Sequence, residues 1–157
     1  MRHLRDPGAR RVTAAETHGR HDAVLAADTL VFLDGATLGK PRDDAEAAEM
    51  LRRLAGREHG VVTAVHLRRG EAPTRGIAEV SRVRFAPLDE SEIAWYVATG
   101  EPRDKAGAYG VQGLGARFIQ EIRGSFTNVM GLPARGVYEL LRACPDPEVS
   151  SLALSSG

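Results

Sequence analysis

Residues 23–41 of the chain have the sequence AVLAADTLVFLDGATLGKP, and this stretch decides the fold. Residues 23–33 form an almost unbroken apolar run rich in β-branched side chains, which predicts a strand covered on both faces. One acid, Asp28, interrupts the run. A buried carboxylate without a partner is costly or takes up a proton, so the run predicts that Asp28 faces a cation or a metal. The alternative is an acid at an irregular point of the strand.

A tight turn after this run is predicted to return the chain toward the strand. Asp34 and Gly35 suit the left-handed positions of a two-residue hairpin. Lys40 then stands between a permissive glycine and a rigid proline. On a phosphate ester, a carboxylate can hold a metal or take a proton while an ammonium group neutralises phosphate oxygens. We therefore interpret Asp28 and Lys40 as a candidate pair facing one cleft, with a solvated lysine on a turn as the alternative.

The composition indicates one folded domain with a small-molecule partner. The chain has 157 residues, and 21 Lys and Arg side chains balance 21 Asp and Glu side chains. Without a net basic field, neither nucleic acid nor a membrane surface is expected as a partner. Cys144 is the only cysteine, which excludes an internal disulfide and suits a reducing compartment. The lone cysteine therefore predicts a cytoplasmic protein, and no apolar run reaches the length of a membrane span.

The residues after the hairpin predict an α/β fold. Helices are predicted where an aspartate is followed three residues later by a glutamate, because this capping box satisfies free N–H groups at a helix start. A charged turn between the next two strands favours an antiparallel pair. The predicted elements are helices after Asp43 and Asp89, strands at residues 59–67, 77–85 and 117–122, a polar turn at residues 125–132, and a last helix from Pro133.

A glycine-rich loop at residues 104–115, DKAGAYGVQGLG, is the second stretch that indicates function. Its glycines let the backbone bend sharply and approach a ligand closely, directly after Asp104 and Lys105. Their order differs from that of the dinucleotide-binding fingerprint. The amide of Gln112 carries a donor and an acceptor, which can match the N3–H and carbonyl edge of uracil or thymine. A glutamine that only braces the loop is the alternative.

Three kinds of side chain elsewhere have weaker functional interpretations. His59 and His66 each lack a second histidine or acid at metal-ligand spacing, so satisfied or solvent-facing histidines are favoured over ligands. Arg82 and Arg84 share one strand face, where an anion or solvent would explain them equally well. Trp95 is interpreted as a core or packing residue, because no other aromatic residue is placed to build a base-stacking platform with it.

The motifs of both stretches resemble those of the Maf family of nucleoside triphosphate pyrophosphatases. The matching text is AADTLV, LGKPRDDAEAAEMLRRLAGREH, VRFAPLDESEIAWYVATGEPRDKAGAYGVQG and IRGSFTNVMGLP. The form AYGVQG resembles the branch that acts on dTTP and UTP, with modified pyrimidine nucleotides as further candidates. The resemblance implies a two-lobed α/β fold around a mixed β-sheet, similar to inosine triphosphatase, with the site between the lobes. It predicts a weakly specified segment at residues 1–22, a Maf-like domain at residues 23–143 and a flexible tail at residues 144–157.

The resemblance also implies a chemistry and a set of site residues. Family members are hydrolases that use a divalent metal cation, magnesium or manganese, while water attacks the α-phosphorus and pyrophosphate is released. A homodimer is an ordinary assembly for such a family. The implied residues are Asp28 as the catalytic proton acceptor, Asp28 and Asp104 toward the metal, Lys40 and Lys105 toward the triphosphate, and Thr29 and Gln112 toward the base.

The N-terminal part of the chain departs from the family's pattern. Family members begin with a strand, a serine-rich SxSPRR loop, an acidic segment and a KxK-like element, and the residues before Ala23 contain none of these. Arg11 stands where the family carries a lysine and offers the same charge with different geometry. We expect either a true start upstream of Met1 or a shortened relative. A shortened relative would lack the arginines of the SxSPRR loop, and a transition state needs more charge neutralisation than a ground state. The shortened form therefore predicts an alternative function: a catalytically impaired nucleotide-binding or septum-associated regulatory protein.

Overall fold

The computed structural model describes residues 23–144, and these contain a five-stranded sheet with strand order β2-β1-β3-β4-β5. The strands are β1 (Ala23–Leu33), β2 (Ala36–Leu38), β3 (Glu58–Arg69), β4 (Arg75–Phe85) and β5 (Ile119–Arg123). The helices are α1 (Asp44–Leu54), α2 (Glu90–Ala98), α3 (Phe126–Met130) and α4 (Ala134–Ala143). Short 3-10 segments lie at Glu101–Asp104, Ala106–Ala108 and Leu114–Phe118. None of the helices described here has the length and apolar character needed to cross a membrane.

The α/β class with helices flanking a sheet is confirmed. All four pairings among the described strands are antiparallel, including the predicted pair of β3 with β4. The parallel pair that a mixed sheet requires is therefore not found within residues 23–144. The predicted segment at residues 1–22 and the tail from residue 145 onward lie outside the described residues.

The predicted hairpin joins β1 to β2. Asp34 and Gly35 have φ angles of 52° and 78°, which are the left-handed conformations that a tight two-residue turn requires. Arg57 donates two hydrogen bonds to the Asp34 carboxylate, at 2.8 and 2.6 Å. Val31 pairs with Leu38 across the hairpin, so the segment that contains Lys40 begins beside β1.

β1 is less buried than the apolar run predicted. Within it only Val31 and Leu33 are buried, and Asp28 is exposed. The prediction of a desolvated carboxylate is therefore wrong. Among the described residues, helices cover only one face of the sheet, and side chains alternate between its faces. Thr29 and Val31 point to the covered face, whereas Asp28 and Leu30, the latter 41% exposed, point to the other.

Two apolar clusters pack on the covered face of the sheet. The larger cluster joins Val61 and Phe85 of the sheet to α1 and α2, and the smaller one joins Val65 to α4. Fully burying a side chain such as Leu contributes roughly 1.5–3 kcal/mol. The helical residues in these clusters are Ala47, Met50, Leu51 and Leu54 of α1, Ile93, Tyr96 and Val97 of α2, and Val137 and Leu140 of α4.

The two predicted helix caps are present but differ. Asp89 and Glu92 form a complete capping box, because each carboxylate accepts the other residue's N–H at 2.9 Å. Asp43 accepts the N–H of Glu46 at 2.7 Å, but the Glu46 carboxylate accepts the N–H of Arg42 instead of that of Asp43. The first predicted capping box is therefore only half formed.

Residues 125–132, where a polar turn was predicted, contain the short helix α3 at Phe126–Met130. Ser125 caps α3, since its hydroxyl accepts the N–H of Asn128 at 3.1 Å. The buried amide of Asn128 donates to the carbonyl oxygen of Val61 at 3.2 Å and to the Ser81 hydroxyl at 2.9 Å. These contacts with β3 and β4 stabilise a helix that is too short to be predicted from periodicity. The strand predicted at residues 117–122 likewise begins two residues later, after a 3-10 segment.

The histidines and the tryptophan have no metal or base-stacking arrangement in the described part of the chain. His59 is buried with its Nε2 atom 2.8 Å from the Tyr109 hydroxyl, whereas His66 is exposed. No group of three or more His, Cys, Asp or Glu side chains within residues 23–144 could hold a metal ion by itself. Trp95 is 41% exposed, so it is not a core residue, and its ring lies 4.1 Å from the Arg117 guanidinium.

Burial of His59 predicts a pH-dependent stability. Burial lowers the pKa of His59 from 6.5 to about 4, so the folded protein keeps it neutral where the unfolded chain protonates it. The associated stability is complete above pH 6.5 and is lost as the pH falls toward 4, by roughly 2 kcal/mol between pH 7 and 5. His59→Gln should remove this loss. Urea unfolding at pH 7, 6 and 5 measures it.

The exposed His66 offers a matched control for this experiment. His66→Gln should keep the parent's dependence of the free energy of unfolding on pH, because His66 is exposed and its substitution leaves the burial of His59 unchanged. Equal slopes for His59→Gln and the parent would contradict the assignment of the pH effect to His59.

Candidate functional site

A cavity of about 490 Å³ lies beside β1 and is lined by five separate parts of the chain. They are β1, the segment after β2, β3 at Val61, the segment from Glu101 through the glycine-rich loop, and the C-terminal end of α3. This volume is within the range of about 300–1,000 Å³ that is usual for small-molecule sites. All the residues that the sequence indicated as a site line this cavity: Asp28, Thr29, Lys40, Asp104, Lys105 and Gln112.

Gly107 brings the two lysines to the same cavity. Its N–H donates to the carbonyl oxygen of Gly39 at 3.0 Å, which joins the loop after Lys105 to the segment before Lys40. Gly107 has a φ of 71°, and a Cβ atom there would lie 3.0 Å from the Val31 side chain. Glycine is therefore required both by the backbone conformation and by the space beside β1.

Asp28 and Thr29 reach the cavity from opposite faces of β1. β2 pairs with β1 only from Val31 to Leu33, so the described strands leave the rest of this edge of β1 unpaired. The cavity lies along that edge and is lined by both residues, although their side chains alternate across the sheet. Both residues line the cavity, Asp28 with an exposed side chain and Thr29 with a half-buried one.

Glu101 holds the glycine-rich loop, although no sequence pattern singled it out. Its carboxylate accepts the N–H groups of Leu114 and Gly115 at 2.8 and 3.1 Å and the Tyr96 hydroxyl at 2.8 Å. The Tyr96 oxygen accepts the N–H of Gly110 at 3.1 Å. These four hydrogen bonds hold the loop on both sides of its exposed glutamine. The sequence offers one signal for this role, an acid that stands three residues before the loop and three residues after the end of α2.

The loop glycines make these close contacts possible. A Cβ atom at Gly113 would overlap the Glu101 carboxylate, and one at Gly115 would lie 2.6 Å from the Tyr96 hydroxyl oxygen. The glycines are thus needed because the loop packs directly against its bracing side chains. Gln112 is exposed at the cavity wall beside Gly113.

The charges in the cavity are arranged so that a lysine is available to an anion. Burial opposes ionisation of Glu101, but two loop N–H groups, the Tyr96 hydroxyl and the charge of Lys105 outweigh it and hold its pKa below the usual value. Lys105 Nζ lies 3.2 Å from Asp104 Oδ1, and this hydrogen bond lowers the pKa of Asp104. Because exposed ion pairs contribute little stability, Lys105 can exchange Asp104 for a phosphate group.

Carboxylates in the cavity also fit a divalent cation that is shared with a ligand. Asp28 and Asp104 are both exposed at the cavity and offer oxygen donors. Magnesium is usually bound through one or two carboxylates together with substrate phosphates, and it keeps several waters. Since residues 23–144 contain no three-ligand cluster, the donor set fits an ion that completes its coordination with phosphate oxygens.

The fold and cavity define an α/β protein with a candidate site for an anionic small molecule. The family model described as Maf-like protein matches residues 7–144, and the chain belongs to the Maf family. It is 55% identical over 123 residues to the dTTP/UTP pyrophosphatase of Aromatoleum aromaticum, covering 78% of this chain and 59% of the relative. It is 50% identical over 134 residues to the dTTP/UTP pyrophosphatase of Neisseria gonorrhoeae, covering 82% and 64%. The chain thus spans about three fifths of the length of these curated relatives.

The bracing role of Glu101 predicts a local change when its carboxylate is removed. In Glu101→Ala, the N–H groups of Leu114 and Gly115 lose their acceptor, so their hydrogen exchange should become at least about tenfold faster. Glu121→Ala removes an exposed carboxylate on β5 and is the matched control, with loop exchange unchanged. Parent-like exchange of both amides in Glu101→Ala would contradict the brace.

Proposed function

We propose that this protein is a nucleoside triphosphate pyrophosphatase that hydrolyses dTTP and UTP to the nucleoside monophosphate and pyrophosphate. The observation that carries the proposal is the convergence of two lysines, two exposed carboxylates and an amide on one cavity. Relatives at 50–55% identity that are named dTTP/UTP pyrophosphatase support the choice of substrate. The lone cysteine and balanced charge support a cytoplasmic protein whose partner is a nucleotide.

In this proposal the cavity binds the two ends of the nucleotide differently. Lys40 and Lys105 bind the triphosphate, because ammonium groups neutralise phosphate oxygens. Gln112 binds the base, since the NH₂ group of its amide can donate to a ring carbonyl of uracil or thymine. Thr29 lies on the wall of the same cavity and contributes a hydroxyl to this end of the ligand.

Asp28 is proposed as the general base. Water attacks the α-phosphorus, the bond from that phosphorus to the bridging oxygen breaks, and pyrophosphate leaves with the electron pair of that bond. The attacking water gives its proton to the Asp28 carboxylate. Asp28 and Asp104 would also hold magnesium or manganese, which when bound supplies charge neutralisation at the phosphate oxygens.

Replacement of Asp28 tests the chemistry directly. Asp28→Asn keeps the side-chain size but removes the basic oxygen, so turnover of UTP should fall by at least about a hundredfold while KM changes little. Pyrophosphate release with magnesium or manganese measures both values. Asp34→Asn changes an exposed acid in the hairpin turn outside the cavity and should retain parent turnover. Near-parent turnover by Asp28→Asn would refute the assignment of the base.

Replacement of Gln112 tests recognition of the base. Gln112→Ala should reduce the preference for UTP and dTTP over other nucleoside triphosphates, because a paired amide contributes discrimination between substrates. Ranking the substrates by kcat/KM checks this expectation. Gln120→Ala, at an exposed position on β5, is the matched control and should keep the parent ranking. An unchanged ranking in Gln112→Ala would refute its role.

A paired measurement distinguishes the proposed pyrophosphatase from the alternative function, a protein that binds nucleotide without turnover. Calorimetry with UTP reports binding, and pyrophosphate release by the same preparation reports hydrolysis. Turnover by this chain would exclude the binding-only function, whereas saturable binding without pyrophosphate release would support it.

A further inference from the structure

The hydroxyl of Thr29 belongs to a directed chain of hydrogen bonds. Its Oγ1 atom lies 2.8 Å from Oγ1 of Thr63, and Thr63 Oγ1 donates to the carbonyl oxygen of Asn128 at 3.1 Å. A carbonyl oxygen can only accept, and a hydroxyl has one proton. Because Thr63 donates its proton to Asn128, it must accept in its contact with Thr29. The Thr29 proton therefore points inward, to Thr63.

The buried residues around Thr63 stabilise this direction of the hydrogen bonds. Thr29 and Thr63 are direct cross-strand partners in the ladder of β1 and β3, and Thr63 is completely buried. Asn128 is also buried, and its side-chain amide donates to the Val61 carbonyl and the Ser81 hydroxyl. The acceptor at the end of the chain is thus fixed to two strands of the sheet. Its carbonyl oxygen also accepts the N–H of Gly131 at 2.9 Å, so reversal of the chain would remove one of its two hydrogen bonds.

Because its proton is donated to Thr63, the Thr29 hydroxyl presents only oxygen lone pairs to the cavity. Thr29 is half-buried and lines the cavity wall together with Gln112. A hydroxyl that can only accept a hydrogen bond favours a ligand atom that carries a proton and disfavours one that carries a lone pair. Uracil and thymine carry a proton on N3, whereas cytosine, which has nearly the same size, carries a lone pair on N3.

We propose that Thr63, which lies outside the cavity lining, is a positioning residue that makes Thr29 an obligate acceptor and so selects the N3–H group of uracil and thymine against cytosine. This inference rests on the proposed function, because it needs a nucleotide in the cavity with its base beside Thr29. It adds a specificity determinant that does not touch the substrate. The relevant quantity is the ratio of affinities for a uridine and a cytidine nucleotide.

Calorimetry with non-hydrolysable nucleotides tests the inference without depending on turnover. The 157-residue chain is titrated with α,β-imido-UTP and α,β-imido-CTP in the presence of magnesium. Thr63→Val keeps the shape but removes the hydroxyl, so the Thr29 hydroxyl can turn and donate to cytosine. The affinity ratio of uridine to cytidine should fall about three- to tenfold, the scale of one hydrogen bond. Thr63→Ser, which restores a hydroxyl, should recover the parent ratio.

The outcomes separate this inference from the proposed function. A parent that binds neither nucleotide would overturn the proposed function and the inference together. A parent that binds the uridine nucleotide, with the same ratio retained in Thr63→Val, would overturn the inference alone. If Thr63→Val fails to fold, Thr29→Val decides: removal of the acceptor should lower the ratio by a similar factor, and a retained ratio would overturn the inference.

Discussion

The antiparallel ladder between β1 and β3 is the interaction on which the remaining structure depends. It runs from the pair Ala23–Arg69 to the pair Phe32–Gly60, and its register decides which side chains of β1 face the helices. A slip by one residue would exchange the two faces. Gly60 opposes such a slip, because the Phe32 ring occupies the space that any Cβ atom at Gly60 would need. The contact between Gly60 and the Phe32 ring therefore helps to fix the register of the strand that lines the cavity.

The other wall of the cavity depends on a different constraint, the close packing of backbone on side chains. The glycine-rich loop lies against Tyr96 and Glu101 at its C-terminal end and against Val31 at Gly107. At each contact the loop has a glycine, and a side chain of the scaffold occupies the space that a loop side chain would need. A polar cavity wall is thus built on α2 and β1, which are anchored in the larger apolar cluster through Tyr96 and Val31.

The sequence was sufficient for those parts of the fold that local rules control. The hairpin at Asp34 and Gly35 and the cap at Asp89 follow from backbone conformation and short-range hydrogen bonds. Helix α3 could not be predicted, since its buried Asn128 is stabilised by strands that lie far away in the chain. The burial of Asp28 was wrongly predicted because an apolar run does not reveal which face of a sheet the helices cover.

The candidate site likewise contains residues that the sequence indicated and residues that only the structure reveals. Motifs and glycine content indicated the residues that line the cavity, and the structure brings them together. Glu101 and Thr63 could not be found in this way, because their importance comes from partners that are distant in the sequence or across the sheet. A bracing carboxylate and a buried hydroxyl look like ordinary polar residues until their acceptors and donors are known.

A crystal structure of the chain with α,β-imido-UTP and magnesium tests the central claim most directly. The account predicts a nucleotide in the cavity beside β1, with its phosphate oxygens at Lys40 and Lys105 and the edge of its uracil ring at Gln112 and Thr29. A nucleotide bound elsewhere on the protein, or one bound in this cavity with its base at the two lysines, would contradict it.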